Sequence, residues 1–273
     1  MGSTRRCRVL DALSRAAPHP PLWRESRFGL ELAALVRAGV FRGGGVTDGR
    51  GQPVLLVPGF MAGDGSLSVM ARWLKGTGHH PSRAGIRANV ACSGASVQRL
   101  EDRLEALVER QGRRAAIVGH SRGGTFAKAL AVRRPDLVAG IVTLGSPHTD
   151  ALQVHPLVRA NVEAVATLGR LRVPGMFSRG CLEDECCAEF WQQAHGPLPR
   201  GVGFVSVYSR SDGIVGWRSC LDPAAEHVEI RSSHCGMAVH PAAYSAVADA
   251  LAAFRKRDAR RKRLVPVAAR AAA

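Results

Sequence analysis

Apolar residues recur at helical spacing over 22–42 (LWRESRFGLELAALVRAGVFR), and this periodicity predicts an amphipathic helix. A polar stretch from Gly43-Gly44-Gly45 to Gly51 then breaks the pattern. The run QPVLLV at 52–57 is short, continuous and apolar and ends at Pro58-Gly59, as a strand buried on both faces does. Residues 66–77 read as a helix capped by Ser66, and 85–92 (GIRANVAC) as a weaker strand. Over 96–111 the recurrence of Leu100, Leu104 and Leu107 marks a strongly periodic helix. The strand AAIV at 115–118 leads into a helix over 122–134, and AGIVTL at 139–144 is the next strand. Strand character returns at 203–208 (GFVSVY) and 226–230 (EHVEI), and a closing helix covers 242–256.

Strands and helices therefore alternate with short connections, the pattern of a mostly parallel sheet covered by helices on both faces. Residues 146–200 interrupt this alternation with a helix at 157–171, a cysteine cluster and Phe190-Trp191. The expected organisation is an N-terminal helical extension (1–49) and an α/β domain (50–255) with an insert at 146–200. A basic, Ala-rich tail (256–273) is expected to lie disordered outside the fold.

One segment carries a specific chemical signal. Gly119-His120-Ser121-Arg122-Gly123 has the form G-x-S-x-G and stands where a predicted strand passes directly into a predicted helix. A strained strand-to-helix elbow of this kind lifts a serine hydroxyl above the strand ends, and small flanking residues relieve the crowding. The helix start beneath it supplies amide donors and a positive dipole end. His120, inside the elbow, is expected to pack beneath the turn, because a base must approach the serine from another loop.

The segment resembles the nucleophile elbow of the α/β-hydrolase superfamily, in particular its lipase and esterase branches. That resemblance implies an α/β-hydrolase fold over about residues 50–255, with 146–200 as a cap inserted between two late strands. It also implies an oxyanion hole. Val57-Pro58-Gly59-Phe60 occupies the loop after the first strand, so the backbone amides of Phe60 and Arg122 become the donors, with that of Met61 as the lesser alternative. For the Arg122 guanidinium the competing role is a simple pairing with a nearby carboxylate.

The acid is expected after a later strand, where Asp212 follows GFVSVY; its rival Asp222 precedes Pro223 and reads as a turn residue. The base is expected last. His234 follows EHVEI, whereas His227 falls inside that strand and His240 stands before the closing helix as a surface or cap residue. The order Ser121, Asp212, His234 is that of the superfamily. The implied activity is ester hydrolysis through an acyl-enzyme on Ser121, on a small-molecule or lipid acyl ester. Thioester hydrolysis and acyl transfer are the alternatives on the same triad. No cofactor or metal is required. Leu157, Val158, Val162, Val165, Met176, Phe177 and Phe190 in the insert point to an apolar acyl group, with plain cap packing as the competing role.

Charge changes this picture less than its size suggests. The 273 residues carry +16, with 38 Lys+Arg against 22 Asp+Glu, which raises a nucleic-acid or anionic-membrane binding protein as a reading from a different class. Only four of the bases are lysine (Lys75, Lys128, Lys256, Lys262), and the densest run, 255–263, has no interleaved aromatics to stack on bases. Nucleic acid is therefore not an expected partner, while an anionic membrane surface remains an expected contact for the tail. The first 21 residues lack the continuous apolar stretch of a secretory signal, so the expected location is cytoplasmic. The seven cysteines suggest one disulfide within the insert and a second joining Cys220 to Cys235, clamping the His234 loop. Cys181, Cys186, Cys187 and His195 lack the C-x2-C pairs of structural zinc sites, and adjacent cysteines make poor ligands, so zinc is not expected there.

Overall fold

A computed structural model of the chain describes residues 20–151, 153–181 and 187–264. Residues 1–19 of the expected extension, Cys7, Cys186 and residues 265–273 of the expected tail lie outside the described residues. A 3-10 turn (Leu22–Arg27), helix α1 (Phe28–Arg37) and a second 3-10 turn (Gly39–Arg42) occupy the first amphipathic segment. Then follow strand β1 (Pro53–Val57), helix α2 (Ser68–Gly76), β2 (His80–Arg83), α3 (Ser93–Gln111), β3 (Ala115–His120), α4 (Arg122–Arg133) and β4 (Val138–Leu144). Helices α5 (Pro156–Arg170) and α6 (Ala188–His195) lie in the insert; β5 (Gly203–Tyr208), β6 (Glu226–Glu229) and α7 (Pro241–Leu264) complete the chain.

The six strands form one sheet in the order β2-β1-β3-β4-β5-β6, and every neighbouring pair is parallel. Alternation along β1 explains the layering. Val54 and Leu56 face a core shared with α1, α2 and α7, through Leu35, Trp73 and Tyr244. Leu55 and Val57 face the opposite core, with Leu104 of α3 and Phe126 of α4. With both faces covered, a continuous apolar run is what each central strand requires. The register sets Val57 beside Gly119, His120 beside Leu144, and Leu144 beside Val207. The C-terminal ends of β1, β3, β4 and β5 thus meet at one edge, where the loops that follow them can converge.

Three expectations are corrected. The second strand is His80–Arg83, not 85–92. HPSR pairs with β1 alone at the sheet edge and stays half-exposed, so no hydrophobic pattern marks it, and Pro81 is tolerated because an edge strand needs fewer donors. Residues 85–92 form an irregular loop that exchanges backbone hydrogen bonds with the chain after β1: Asp64 donates to Ile86, Met61 to Asn89, and Asn89 to Ala62. Ser66 donates its hydroxyl to the Gly63 carbonyl and does not cap α2. The basic run is not a frayed tail, for α7 carries the chain to Leu264. Asp258, in the middle of that run, is buried and accepts from Arg114 Nε at 2.7 Å. No described helix is long and apolar enough to cross a membrane.

Candidate active site

Ser121 is the junction of β3 and α4 and takes φ 53°, ψ −125°, a conformation that side-chain-bearing residues rarely adopt. The flanking glycines are required by close approach. A Cβ on Gly119 would lie 2.5 Å from the Gly123 carbonyl oxygen, and one on Gly123 would lie 2.2 Å from that of Val57. The start of α4 is thereby pressed against the ends of β1 and β3. The Ser121 amide donates to Leu144 at 2.8 Å and its carbonyl accepts from Gly124 at 2.9 Å, fixing the turn from both sides.

Asp212 and His234 meet behind this turn. His234 Nδ1 and Asp212 Oδ2 are 2.7 Å apart, and both residues are buried. The other carboxylate oxygen accepts from the amides of Ile214 at 2.8 Å and Val215 at 2.7 Å, so the turn after β5 aims Oδ2 at the imidazole. Ser209 joins the two loops: its hydroxyl donates to the Ser232 carbonyl and accepts from the Ser232 and Ser211 amides. Burial lowers the His234 pKa, but the Asp212 charge and hydrogen bond and the charge of Glu25 outweigh it, leaving the pKa above its ordinary value of 6.5. No hydrogen bond joins Ser121 Oγ to the His234 ring among the described residues.

The competing residues lie elsewhere. Asp222 is paired with Lys128 of α4 in a buried ion pair. His227 is exposed on β6, with Nε2 2.9 Å from the Asp222 carbonyl. His240 accepts from the Ala242 amide through Nδ1 at 3.2 Å, as a cap of α7. His120 packs against His234, with ring centroids 4.8 Å apart, and its Nε2 lies 3.0 Å from the His234 carbonyl. Burial and the neighbouring His234 push the His120 pKa down to about 4, which keeps that ring neutral near pH 7.

The side on which the oxyanion hole is expected is built around Arg122 and Asn89. The Met61 amide is taken by the Asn89 carbonyl at 3.3 Å. Among the described residues the amides of Phe60 and Arg122 donate to no protein group, and both residues line the same cavity as Ser121. Among the described residues the Arg122 guanidinium pairs with no carboxylate. It donates to the Asn89 and Ala91 carbonyls at 2.9 and 2.8 Å, and to Asn89 Oδ1 and Ser93 Oγ. Its carbon stands 4.9 Å from the ring centre of Phe126 and 5.2 Å from that of Phe177. Asn89 Nδ2 in turn donates to the Pro58 carbonyl at 2.9 Å, tying this network to the loop that bears Phe60.

Two carboxylates from the N-terminal segment complete the site. Glu25 Oε1 accepts from the amides of Gly213 and His234 at 3.1 and 3.0 Å, and Oε2 accepts from Cys235. Glu31 accepts from the Ser233 amide at 2.8 Å and its hydroxyl at 2.6 Å. Cys220 and Cys235 are free thiols, so the expected disulfide is absent and carboxylates hold the His234 loop in its place. Glu25, Glu31 and Asn89 were not singled out by sequence reasoning. One signal was available: Glu31 stands four residues before Leu35, on the buried face of α1, where a carboxylate needs donors from elsewhere.

The cavity beside Ser121 has a volume of about 430 Å3. Its walls include Val158, Val162, Phe177 and Phe190 from the insert, together with Phe60 and Ile214. Of the other apolar insert residues, Val165 is buried in the core, Met176 packs against it, and Leu157 is 59% exposed.

No family model matches the chain. Solved structures do resemble it. The metagenomic carboxyl esterase MGS0156 superposes with a TM-score of 0.59 at 14% identity, over 90% of this chain and 99% of that one. The mature Bacillus licheniformis lipase BlEst2 gives 0.57 at 14%, over 75% and 94%. A Paleococcus ferrophilus monoacylglycerol lipase gives 0.52 at 16%, over 77% and 96%. At such identities the likeness is one of architecture, and it agrees with the parallel sheet and its two helical layers: the chain has the α/β-hydrolase fold.

Proposed function

We propose that this protein is a serine hydrolase that cleaves carboxylic esters bearing an apolar acyl group. The carrying observation is the buried His234–Asp212 pair at 2.7 Å, set behind a serine held in elbow geometry on the wall of an apolar cavity. In this reading Asp212 stays ionised and accepts a hydrogen bond from Nδ1–H of His234, which leaves Nε2 unprotonated as the base for Ser121. Ser121 Oγ attacks the ester carbonyl, its proton passes to His234, and the amides of Phe60 and Arg122 hold the negative oxygen. Collapse expels the alcohol, protonated by His234. Water, deprotonated by the same imidazole, then attacks the acyl-enzyme and releases the acid. The hydrogen bond from Ser121 to His234 belongs to the substrate-bound state, where such contacts tighten.

The apolar wall contributed by the insert supports an acyl group of hydrocarbon character. The similarity in fold to proteins described as lipases and esterases supports ester chemistry. The test is turnover of p-nitrophenyl esters of increasing acyl length by the wild-type chain and by Ser121→Ala. The wild type is expected to be active and the variant to lose at least about 10^4-fold in kcat. Undiminished turnover by Ser121→Ala, or a fluorophosphonate adduct mapped to another serine, overturns the mechanism.

A further inference from the structure

Three cysteines from distant points of the chain converge behind one wall of the cavity. Cys92 immediately precedes α3, Cys181 closes the 3-10 turn Arg179–Cys181, and Cys187 immediately precedes α6. Their sulfur atoms all lie within 4.8 Å of one another, and those of Cys92 and Cys187 are 3.4 Å apart. Cys181 and Cys187 are buried and Cys92 is half-buried. We propose that these three cysteines form a binding site for a thiophilic metal ion, for which Zn2+ is the probe, and that the ion ties the insert to the first turn of α3. His195 takes no part in it, for that ring stacks on Trp191 at 5.5 Å and lines the cavity.

The spacing suits such an ion. Zinc–sulfur bonds of about 2.3 Å in a tetrahedral arrangement hold their sulfurs about 3.8 Å apart, so the cluster closes on a metal with small side-chain shifts. An all-thiol set selects zinc or monovalent copper over hard cations. The charge balance is the second, independent argument. Arg122 is half-buried beside these thiols, and among the described residues it makes no ion pair with a carboxylate; its hydrogen bonds go to carbonyls, an amide oxygen and a hydroxyl. A partly desolvated cation with no anionic partner among the described residues gains from a negative charge placed beside it. Zn2+ bound by three thiols releases three protons and leaves a site of net charge −1, which neutralises the guanidinium. The N-terminal end of α3 favours the same negative charge.

The site differs from the one expected to fail on sequence grounds. There the candidates were Cys181, Cys186, Cys187 and His195, two of them adjacent. Here Cys92, nearly ninety residues earlier than Cys181, enters because the loop after β2 runs against the insert, with Phe177 donating to the Val90 carbonyl at 2.8 Å.

The inference does not depend on the proposed esterase activity, since metal content reads it directly. The full chain is freed of metal under reducing, oxygen-free conditions and titrated with Zn2+ against a chromophoric chelator. Co2+ serves as a spectroscopic substitute. Expected are one ion per chain, a thiolate-to-cobalt charge-transfer band, and protection of Cys92, Cys181 and Cys187 from alkylation in peptide maps of the loaded protein. Cys92→Ser is expected to weaken binding by more than about tenfold with the circular dichroism unchanged. Cys235→Ser, which removes an exposed thiol outside the cluster, is expected to leave binding unaltered. A Cys92–Cys187 disulfide in the non-reduced peptide map overturns the proposal. So does a Zn2+ stoichiometry that survives in both Cys92→Ser and Cys187→Ser.

Discussion

The two sides of the candidate site solve the same problem with opposite charges. On the His234 side, the loops after β5 and β6 present backbone N–H groups with no strand to receive them, and the carboxylates of Glu25 and Glu31 accept them. On the oxyanion side, residues 89–91 present carbonyls, and the Arg122 guanidinium donates to them. In both places a charged side chain replaces the regular hydrogen bonding that an irregular backbone forgoes. The difference lies in what each ion acts upon. Glu25 touches the backbone of a residue that titrates, and its charge raises the His234 pKa. Arg122 steadies the loop that bears the proposed oxyanion donors, backbone amides that do not titrate near neutrality. The first side should therefore respond in its pH profile, the second in rate alone.

The largest effect that sharpens this contrast is expected from Asp212→Asn. The amide would turn its NH2 or its oxygen to Nδ1 without a charge to stabilise the imidazolium, and kcat is expected to fall by about 10^4-fold in ester turnover at neutral pH. A loss below about tenfold would mean that this pair does not orient the base. Next in size is Glu31→Ala, which leaves the Ser233 amide and hydroxyl buried without their acceptor. An expected loss of about 2–3 kcal/mol in stability should show as a drop of about 5–10 °C in Tm by calorimetry. An unchanged Tm would break the claim that the N-terminal segment holds the loop.

How much of this was legible in the sequence depends on whether the signal was local. The elbow at Ser121 was legible because G-x-S-x-G reports a steric demand within five residues, met where Gly119 and Gly123 pass within contact of backbone. β1, β3, β4 and β5 were legible because double burial forces a continuous apolar run. β2 was not, since an edge strand with one partner and half-exposed side chains carries no such requirement. The end of α7 was misplaced for a related reason: a run of arginines resembles a solvated tail, and nothing local reveals that Asp258 meets Arg114, 144 residues away. Glu25 and Glu31 escaped similarly, their partners standing about two hundred residues downstream. The expected Cys220–Cys235 disulfide failed because cysteine counting cannot see that carboxylates already clamp the loop.

On the oxyanion side the contrast is probed by Asn89→Ala. The change removes the donor to the Pro58 carbonyl and one acceptor of Arg122, so the loop bearing Phe60 loses a tether. Loosened donor geometry is expected to lower kcat by about tenfold, because small misplacements of oriented groups are costly. The pH dependence should keep its shape, since no charge near His234 is altered. A displaced acid limb in Asn89→Ala would erase the distinction between the two sides.

The smallest expected effect, and the most discriminating, belongs to Glu25→Gln. His234 must be neutral to act as the base, and its pKa lies above 6.5 in the folded protein. The acid limb of kcat/KM is therefore expected above pH 6.5, with activity lost as the pH falls through the raised pKa. Of the ionisable groups facing the ring, Asp212 stabilises the charged imidazole directly, and His120 is neutral there because its own pKa is held near 4. Glu25 contributes from behind, through the backbone it binds. Glutamine keeps an oxygen for the Gly213 and His234 amides but carries no charge, and it sets an NH2 against the Cys235 amide. The protonated imidazole loses part of its support, so the acid limb should move to lower pH while the plateau rate changes little. A limb that stays in place would show that Glu25 works through hydrogen bonding alone. A plateau that collapses without any shift would show that the two sides of the site are held for rigidity, and that the sign of the charge on each is incidental to the chemistry.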